Sequence, residues 1–331
     1  MVDADDIDPS AICARGTLTS IEAAAIRRGY YKDGIVGESD ADALFAIEQN
    51  CRVQPPEWGA LFVEALTDYL VHQVKPEGYL TAENAGWLIE RISAHGKITT
   101  RNEFDLLVNM LEEARWAPNT LSALALAQVR DAVANGSGPL RLGAKKPATG
   151  VVTANDVAAL RRILYACGGD GNIAITRAEA EVLMDIGDAA DETLSDASWP
   201  DLYTKAIANH LMAAAGHLPP AREDALKREA WLEAEPDLGG FLADMVHSGL
   251  SGVWSAWHVP SMEDLALARV EAETRAMLVS EEVTAPEAGW LANRIGRDGR
   301  LSEAERALLG FIKHNSPKID PSLGKLLENV A

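Results

Sequence analysis

The chain is short of cysteine, basic side chains and long apolar runs, and each shortage excludes something. Its three cysteines, Cys13, Cys51 and Cys167, form neither a CxxC pair nor an even framework. A disulfide framework is excluded, and free thiols in a reducing compartment are expected. Lys and Arg number 30 against 50 Asp and Glu, a net charge of −20. The deficit runs through both parts, with −7 over residues 1–150 and −13 over residues 151–331. Phosphate and anionic lipid need clustered cations, so no nucleic acid partner is expected. No stretch reaches the roughly 18–20 apolar residues that span a bilayer, so no membrane insertion is expected either. The N-terminus, MVDADDIDPSAI, carries acids where a secretory signal carries Lys or Arg, which points to the cytoplasm. Enzyme signatures are missing too: there is no GxGxxG after a strand, no GxxxxGK[ST], no HExxH and no GxSxG. The seven histidines are scattered, and no Asp/Glu pair stands out in so acidic a chain. No catalytic residue is singled out.

What is present is helix. Alternating β patterns are scarce, while apolar spacings of three and four recur, as in Leu61, Phe62, Ala65, Leu66, Tyr69 and Leu70. With 47% apolar residues over 331 positions there is material for two cores. Self-comparison then organises the chain. Thr19-x-x-Glu22 with Ile26-Arg27-Arg28 matches Thr153-x-x-Asp156 with Leu160-Arg161-Arg162 at a shift of 134. Trp58-x-x-Leu61-Phe62 matches Trp199-x-x-Leu202-Tyr203, and LTAENAGWLIERISAHGKIT (80–99) matches VTAPEAGWLANRIGRDGRLS (283–302). The expectation is an all-α fold of two tandem-duplicated helical bundles, each with two helix–(Asp)Gly-turn–helix cassettes. Residues 1–14 are expected to be an acidic flexible N-terminus, 15–136 the first repeat domain, 137–150 a Gly/Pro-rich linker and 151–331 the second repeat domain. The shift grows from 141 at Trp58 to 203 at Trp87, so the second half carries an insertion of about 62 residues, placed at about 213–279.

The four turns are KDGIVGESDAD (32–42), AHGKITTRNE (94–103), GDGNIAITRAE (169–179) and RDGRLSEAE (297–305). Glycine suits a helix end that needs positive φ. The Ser/Thr with an acid three residues on forms a capping box: Ser39/Asp42, Thr100/Glu103, Thr176/Glu179 and Ser302/Glu305, and likewise Thr19/Glu22 and Thr284/Glu287. An ordinary EF-hand fails on ligand count, because Arg294 and Gly296 or Ala166 and Arg177 fall where oxygen ligands are needed.

The pattern helix–Asp-Gly–aliphatic–Ser/Thr–Glu–helix, as in RIGRDGRLSEAERALLGFI (294–312), resembles the TerB-like fold of tellurite-resistance proteins and of the N-terminal regions of DnaJ-like co-chaperones. The resemblance covers 20–25 residues around each of three turns, and the fourth has His95 in place of the Asp. It implies an all-α bundle, stress-linked complexes and a divalent cation such as calcium, with the acidic positions falling on Asp33, Asp42, Asp170, Glu179, Asp298 and Glu305.

Trp58, Trp87, Trp199 and Trp290 recur at matched positions and are expected to be core anchors. Trp231, Trp254 and Trp257 lie in the insertion without counterparts. Together with His258 they are candidate residues for a protein partner. The functional expectation is a non-enzymatic interaction or scaffold protein. The alternatives are calcium binding and, more remotely, an enzyme with a pocket between the halves.

Overall fold

The computed structural model describes residues 7–33, 37–143, 146–166, 175–214, 285–297, 299–316 and 319–328. They fold into thirteen α-helices with a single two-residue β-hairpin, so the all-α expectation is met. None of the described helices is long and apolar enough to cross a membrane.

The first helix, α1 (Pro9–Arg15), covers residues 9–14 of the stretch expected to be flexible. Asp8 accepts the Ser10 N–H, Pro9 begins the helix without needing a donor, and Gly16 closes it at φ 69°. Ile12 is buried against the core, which holds the helix in place. Next come α2 (Ser20–Asp33), α3 (Glu38–Asn50) and α4 (Glu57–Thr67), the last continued by a looser turn over Asp68–Gln73. The second cassette comprises α5 (Ala82–Ile92), the hairpin β1 (Ser93–Ala94) and β2 (Lys97–Ile98), and α6 (Arg101–Glu113). His95 and Gly96, at φ 54° and 77°, make the two-residue turn that a right-twisted hairpin favours. α7 (Asn119–Asn135) leads to α8 (Ala154–Leu164), α9 (Arg177–Ala189) and α10 (Trp199–Ala214), and after the undescribed stretch to α11 (Ala285–Arg294), α12 (Glu303–Asn315) and α13 (Gly324–Glu328).

Capping explains most helix starts. Reciprocal side-chain and backbone bonds join Thr19 to Glu22, Thr100 to Glu103, Thr153 to Asp156, Thr176 to Glu179 and Ser302 to Glu305. The expected Ser39/Asp42 box does not form. Here α3 begins earlier, after Gly37, whose N–H is accepted by Asp40 at 2.9 Å. That frees Asp42 for Arg91.

The stretch expected to be a linker is anchored in the core at two of its residues. Pro139 and Arg141 are buried in a short 3₁₀ turn, and the Arg141 guanidinium makes two bonds of 2.8 and 2.7 Å to Asp156. The two side chains are 1% and 0% exposed. Asp156 also accepts the Thr153 N–H and hydroxyl, so the charge is met from several sides, as a buried carboxylate requires. α7 packs on α8 and α9, α6 packs on α8, and buried apolar residues from residue 12 to residue 323 form one contiguous cluster.

A backbone closure recurs in each well-described cassette. Gly16 accepts the Arg52 N–H at 3.1 Å and Val53 accepts the Leu18 N–H at 2.9 Å, with Thr17 and Val53 facing each other in a parallel bridge. Gly78 accepts Arg115 N–H at 2.8 Å, Trp116 accepts Leu80 N–H at 2.9 Å, and Tyr79 faces Trp116. In the third cassette Gly150 accepts the Asp191 N–H at 2.6 Å. There the return strand then loops away, and the Val152 N–H is taken by the Ser195 hydroxyl at 3.1 Å instead.

Candidate functional site

Three of the six acids named for a cation, Asp33, Asp170 and Asp298, have side chains outside the described residues. The other three are committed to the fold. Asp42 takes the Arg91 Nε at 2.7 Å, and Glu179 takes the Thr176 N–H and hydroxyl at 2.9 Å. Glu305 spans its turn, one oxygen accepting Gly296 N–H and the other Ser302 N–H, both at 2.8 Å. The three are not brought together, and among the described residues no three His, Cys, Asp or Glu side chains converge as a metal set. Trp231, Trp254, Trp257 and His258 also lie outside the described residues.

Of the four matched tryptophans, Trp58, Trp199 and Trp290 are buried, whereas Trp87 is only partly so. Its position follows from a polar tether. The Trp87 indole N–H reaches Glu38 at 3.1 Å, and Arg91, one turn on, lies 3.8 Å from the ring centroid. A parallel group surrounds Trp290. Its N–H donates to Glu181 at 2.6 Å and Arg294 donates to Asp185 at 2.7 Å. His210 meets the Trp290 ring edge-on, with centroids 5.2 Å apart. In both groups a Trp-x-x-x-Arg face grips a carboxylate pair four residues apart on the preceding cassette helix. Each ring is thereby spent on internal contacts. Trp58 is held likewise, by Glu48 at 2.7 Å, a buried carboxylate that also accepts from Gln54 and Asn102.

Trp116 is different. It is 37% exposed and Tyr79, its bridge partner, is 38% exposed. Among the described residues the Trp116 indole has no hydrogen-bond partner, in contrast with Trp58, Trp87 and Trp290. Facing positions of a bridge put their side chains on one side of the paired backbone, so the two aromatics share a face. Arg115 lies over Gly78, 3.2 Å from where a Cβ would sit, and both turns are rigidly bonded to each other. The result is an exposed aromatic pair on a fixed platform, beside Glu77, Pro76 and Arg115 on the surface. Sequence reasoning passed over both residues. The available signal is that, at the shift of 203 that aligns Trp87 with Trp290, Trp116 falls on Ile319, so this tryptophan is not part of the shared core pattern.

One cavity of about 190 Å³ lies where the third closure opens, between the α9–α10 connection and the start of α12. Its polar walls are Glu192, Ser195, Asp196, Ser302 and Glu303. These groups answer one another: Glu192 accepts the Glu303 N–H, and Asp196 accepts the Ser198 N–H and hydroxyl. The Ser198 bonds hold the Asp196 carboxyl below its usual range.

No family model matches the chain, and neither the curated proteins nor the solved structures contain a match.

Proposed function

We propose that this chain is a non-enzymatic interaction or scaffold protein that meets a protein partner through the Tyr79–Trp116 platform. The observation that carries the reading is the exposure of this pair, held on bonded backbone, while the other described tryptophans are buried or tethered to carboxylates. Large, stiff rings without internal partners are the side chains that give most binding energy at protein interfaces. The resemblance to TerB-like proteins, some of which act in complexes, agrees with it. So does a tandem duplication, in which the closures serve as common scaffolding and the divergent positions carry the specific contacts.

The experiment is affinity recovery with the full chain and its Tyr79→Ala/Trp116→Ala variant, followed by direct binding of the purified partner. Loss of affinity by more than about tenfold with unchanged helicity is expected. An unchanged affinity removes the platform from the proposal. A Trp254→Ala/Trp257→Ala variant measured alongside assigns any remaining contact to the insertion. The calcium reading rests on Asp33, Asp170 and Asp298 and is decided by calorimetric titration of the wild type against Asp170→Ala/Asp298→Ala. Heat in the first that is absent from the second establishes it.

A further inference from the structure

Cys13 sits in the last turn of α1 and Cys51 immediately follows α3, as its C-cap. Both are free thiols. The first closure draws their backbones together: Gly16 donates to the Cys13 carbonyl at 3.1 Å, and the Gly16 carbonyl accepts the N–H of Arg52, the neighbour of Cys51. The Cys51 Sγ lies 3.7 Å from the Ile12 carbonyl oxygen, on the turn of α1 that carries Cys13. From this geometry we propose that Cys13 and Cys51 are a thiol–disulfide exchange site, at which a low-molecular-weight disulfide of the glutathione type links α1 covalently to the end of α3.

The two thiols have different parts to play because their exposure differs. Cys13 is partly exposed and Cys51 is buried. The Cys13 thiolate attacks one sulfur of the small disulfide, giving a mixed disulfide and one small thiolate. Cys51 gives up its proton and attacks the Cys13 sulfur, forming the Cys13–Cys51 bond and expelling the second small thiolate. Two electrons pass from the protein thiols to the small disulfide, and the two cysteine protons end on the two small thiols. The surroundings set the pace. Burial, then Asp8, push the Cys13 thiol up. Burial, then the Cys13 charge, push Cys51 up, with Glu22 and Glu48 adding to the rise and Arg15 opposing it. Both are therefore mainly protonated near neutrality, and exchange accelerates as pH rises toward the thiol range.

The test uses the full chain carrying Cys167→Ser, so that only these two thiols remain. It is incubated with oxidised glutathione at mildly alkaline pH, alkylated, digested without reductant and analysed by mass spectrometry. The expected result is one cross-linked species joining the Cys13 and Cys51 peptides, two hydrogens lighter than the reduced pair and reversed by dithiothreitol. Its urea midpoint should lie above that of the reduced chain. In Cys51→Ala the glutathione adduct should persist on Cys13, and in Cys13→Ser the buried thiol should stay unmodified while the chain is folded. A stable glutathione adduct on Cys13 with Cys51 intact overturns the proposal, as does full alkylation of both thiols after incubation.

Discussion

The second and third cassettes begin their closures alike and finish them differently. In both, a glycine carbonyl near the start of the cassette takes the N–H of a residue just after the second helix. The second then adds a parallel bridge, Tyr79 against Trp116, and turns two aromatics outward. The third abandons the bridge, gives Ser195 to Val152, and sets the buried Arg141–Asp156 pair beneath the start of α8. The first cassette has the bridge but presents Thr17 and Val53. The same backbone device thus supports a surface in one place and an anchor in another. The lesson is that closure belongs to the fold, while the residues placed on it are free to specialise.

Removing the anchor should have the largest effect. Arg141→Met leaves the Asp156 carboxylate buried without its main partner and should cost about 3–5 kcal/mol in urea unfolding. The double variant Arg141→Met/Asp156→Leu should recover most of this, short of about 1 kcal/mol for the lost bonds from the Thr153 N–H and hydroxyl to the Asp156 carboxylate. A double variant as unstable as the single one would deny the ion pair its role.

The two closure glycines sharpen the contrast at the next scale. Gly150 has φ 80°, and a Cβ there would sit 2.9 Å from the Ala189 carbonyl oxygen, a backbone atom. Gly78 has φ 83° and would meet the flexible Arg115 side chain at 3.2 Å. Gly150→Ala should therefore cost about 3 kcal/mol, combining left-handed strain with overpacking. Gly78→Ala should cost about 1–2 kcal/mol, since strain alone remains. Equal losses would show that the third closure is no tighter than the second.

Stripping the platform should change stability little. Tyr79→Ala and Trp116→Ala should each stay within about 1 kcal/mol of the wild type. Trp58→Ala, by contrast, should lose about 3–5 kcal/mol, because Trp58 is buried and bonded to Glu48. A large loss at Trp116 would make it a core residue after all.

The smallest effect concerns the caps that open each cassette. Burial alone would raise the Glu22 carboxyl, but the Thr19 N–H, Arg15 and the Thr19 hydroxyl outweigh it and hold the carboxyl below its usual range. A depressed folded value means that Glu22 stabilises above the unfolded carboxylate range and that this contribution fades as pH falls through the depressed value. Glu22→Gln should be slightly less stable than wild type near neutrality and converge with it in acid. Asn84, which occupies the corresponding place after Thr81 in the second cassette, should give no such convergence when changed to Gln. Glu103, at the start of α6, runs the other way, because burial raises its carboxyl.

Much of the architecture follows from the sequence alone. Capping pairs, apolar spacing and glycine at turn ends act over three or four residues, so Thr100/Glu103, Thr176/Glu179 and Ser302/Glu305 were visible as text and form as expected. At Ser39/Asp42 the helix instead starts two residues earlier, capped by Asp40 on Gly37, and Asp42 is left to Arg91, 49 residues away. The same kind of distance hid the anchoring of residues 137–150: a Gly/Pro-rich stretch has the composition of a linker, and only packing reveals that Arg141 meets Asp156 beneath it. Likewise α1 follows the acidic tail in composition, and the burial of Ile12 makes it a helix of the core.

The candidate surface was less legible than the fold. Tyr79 and Trp116 are 37 residues apart in sequence, and nothing local marks either as exposed, because aromatic residues in helical proteins ordinarily go inside. Helix, caps and turn glycines were determined by short-range chemistry written in the chain. Which tryptophans are buried, which acids are spent on arginines, which thiol is buried and which aromatics face outward were decided only by the tertiary structure, because each depends on a partner that folding brings from far along the sequence.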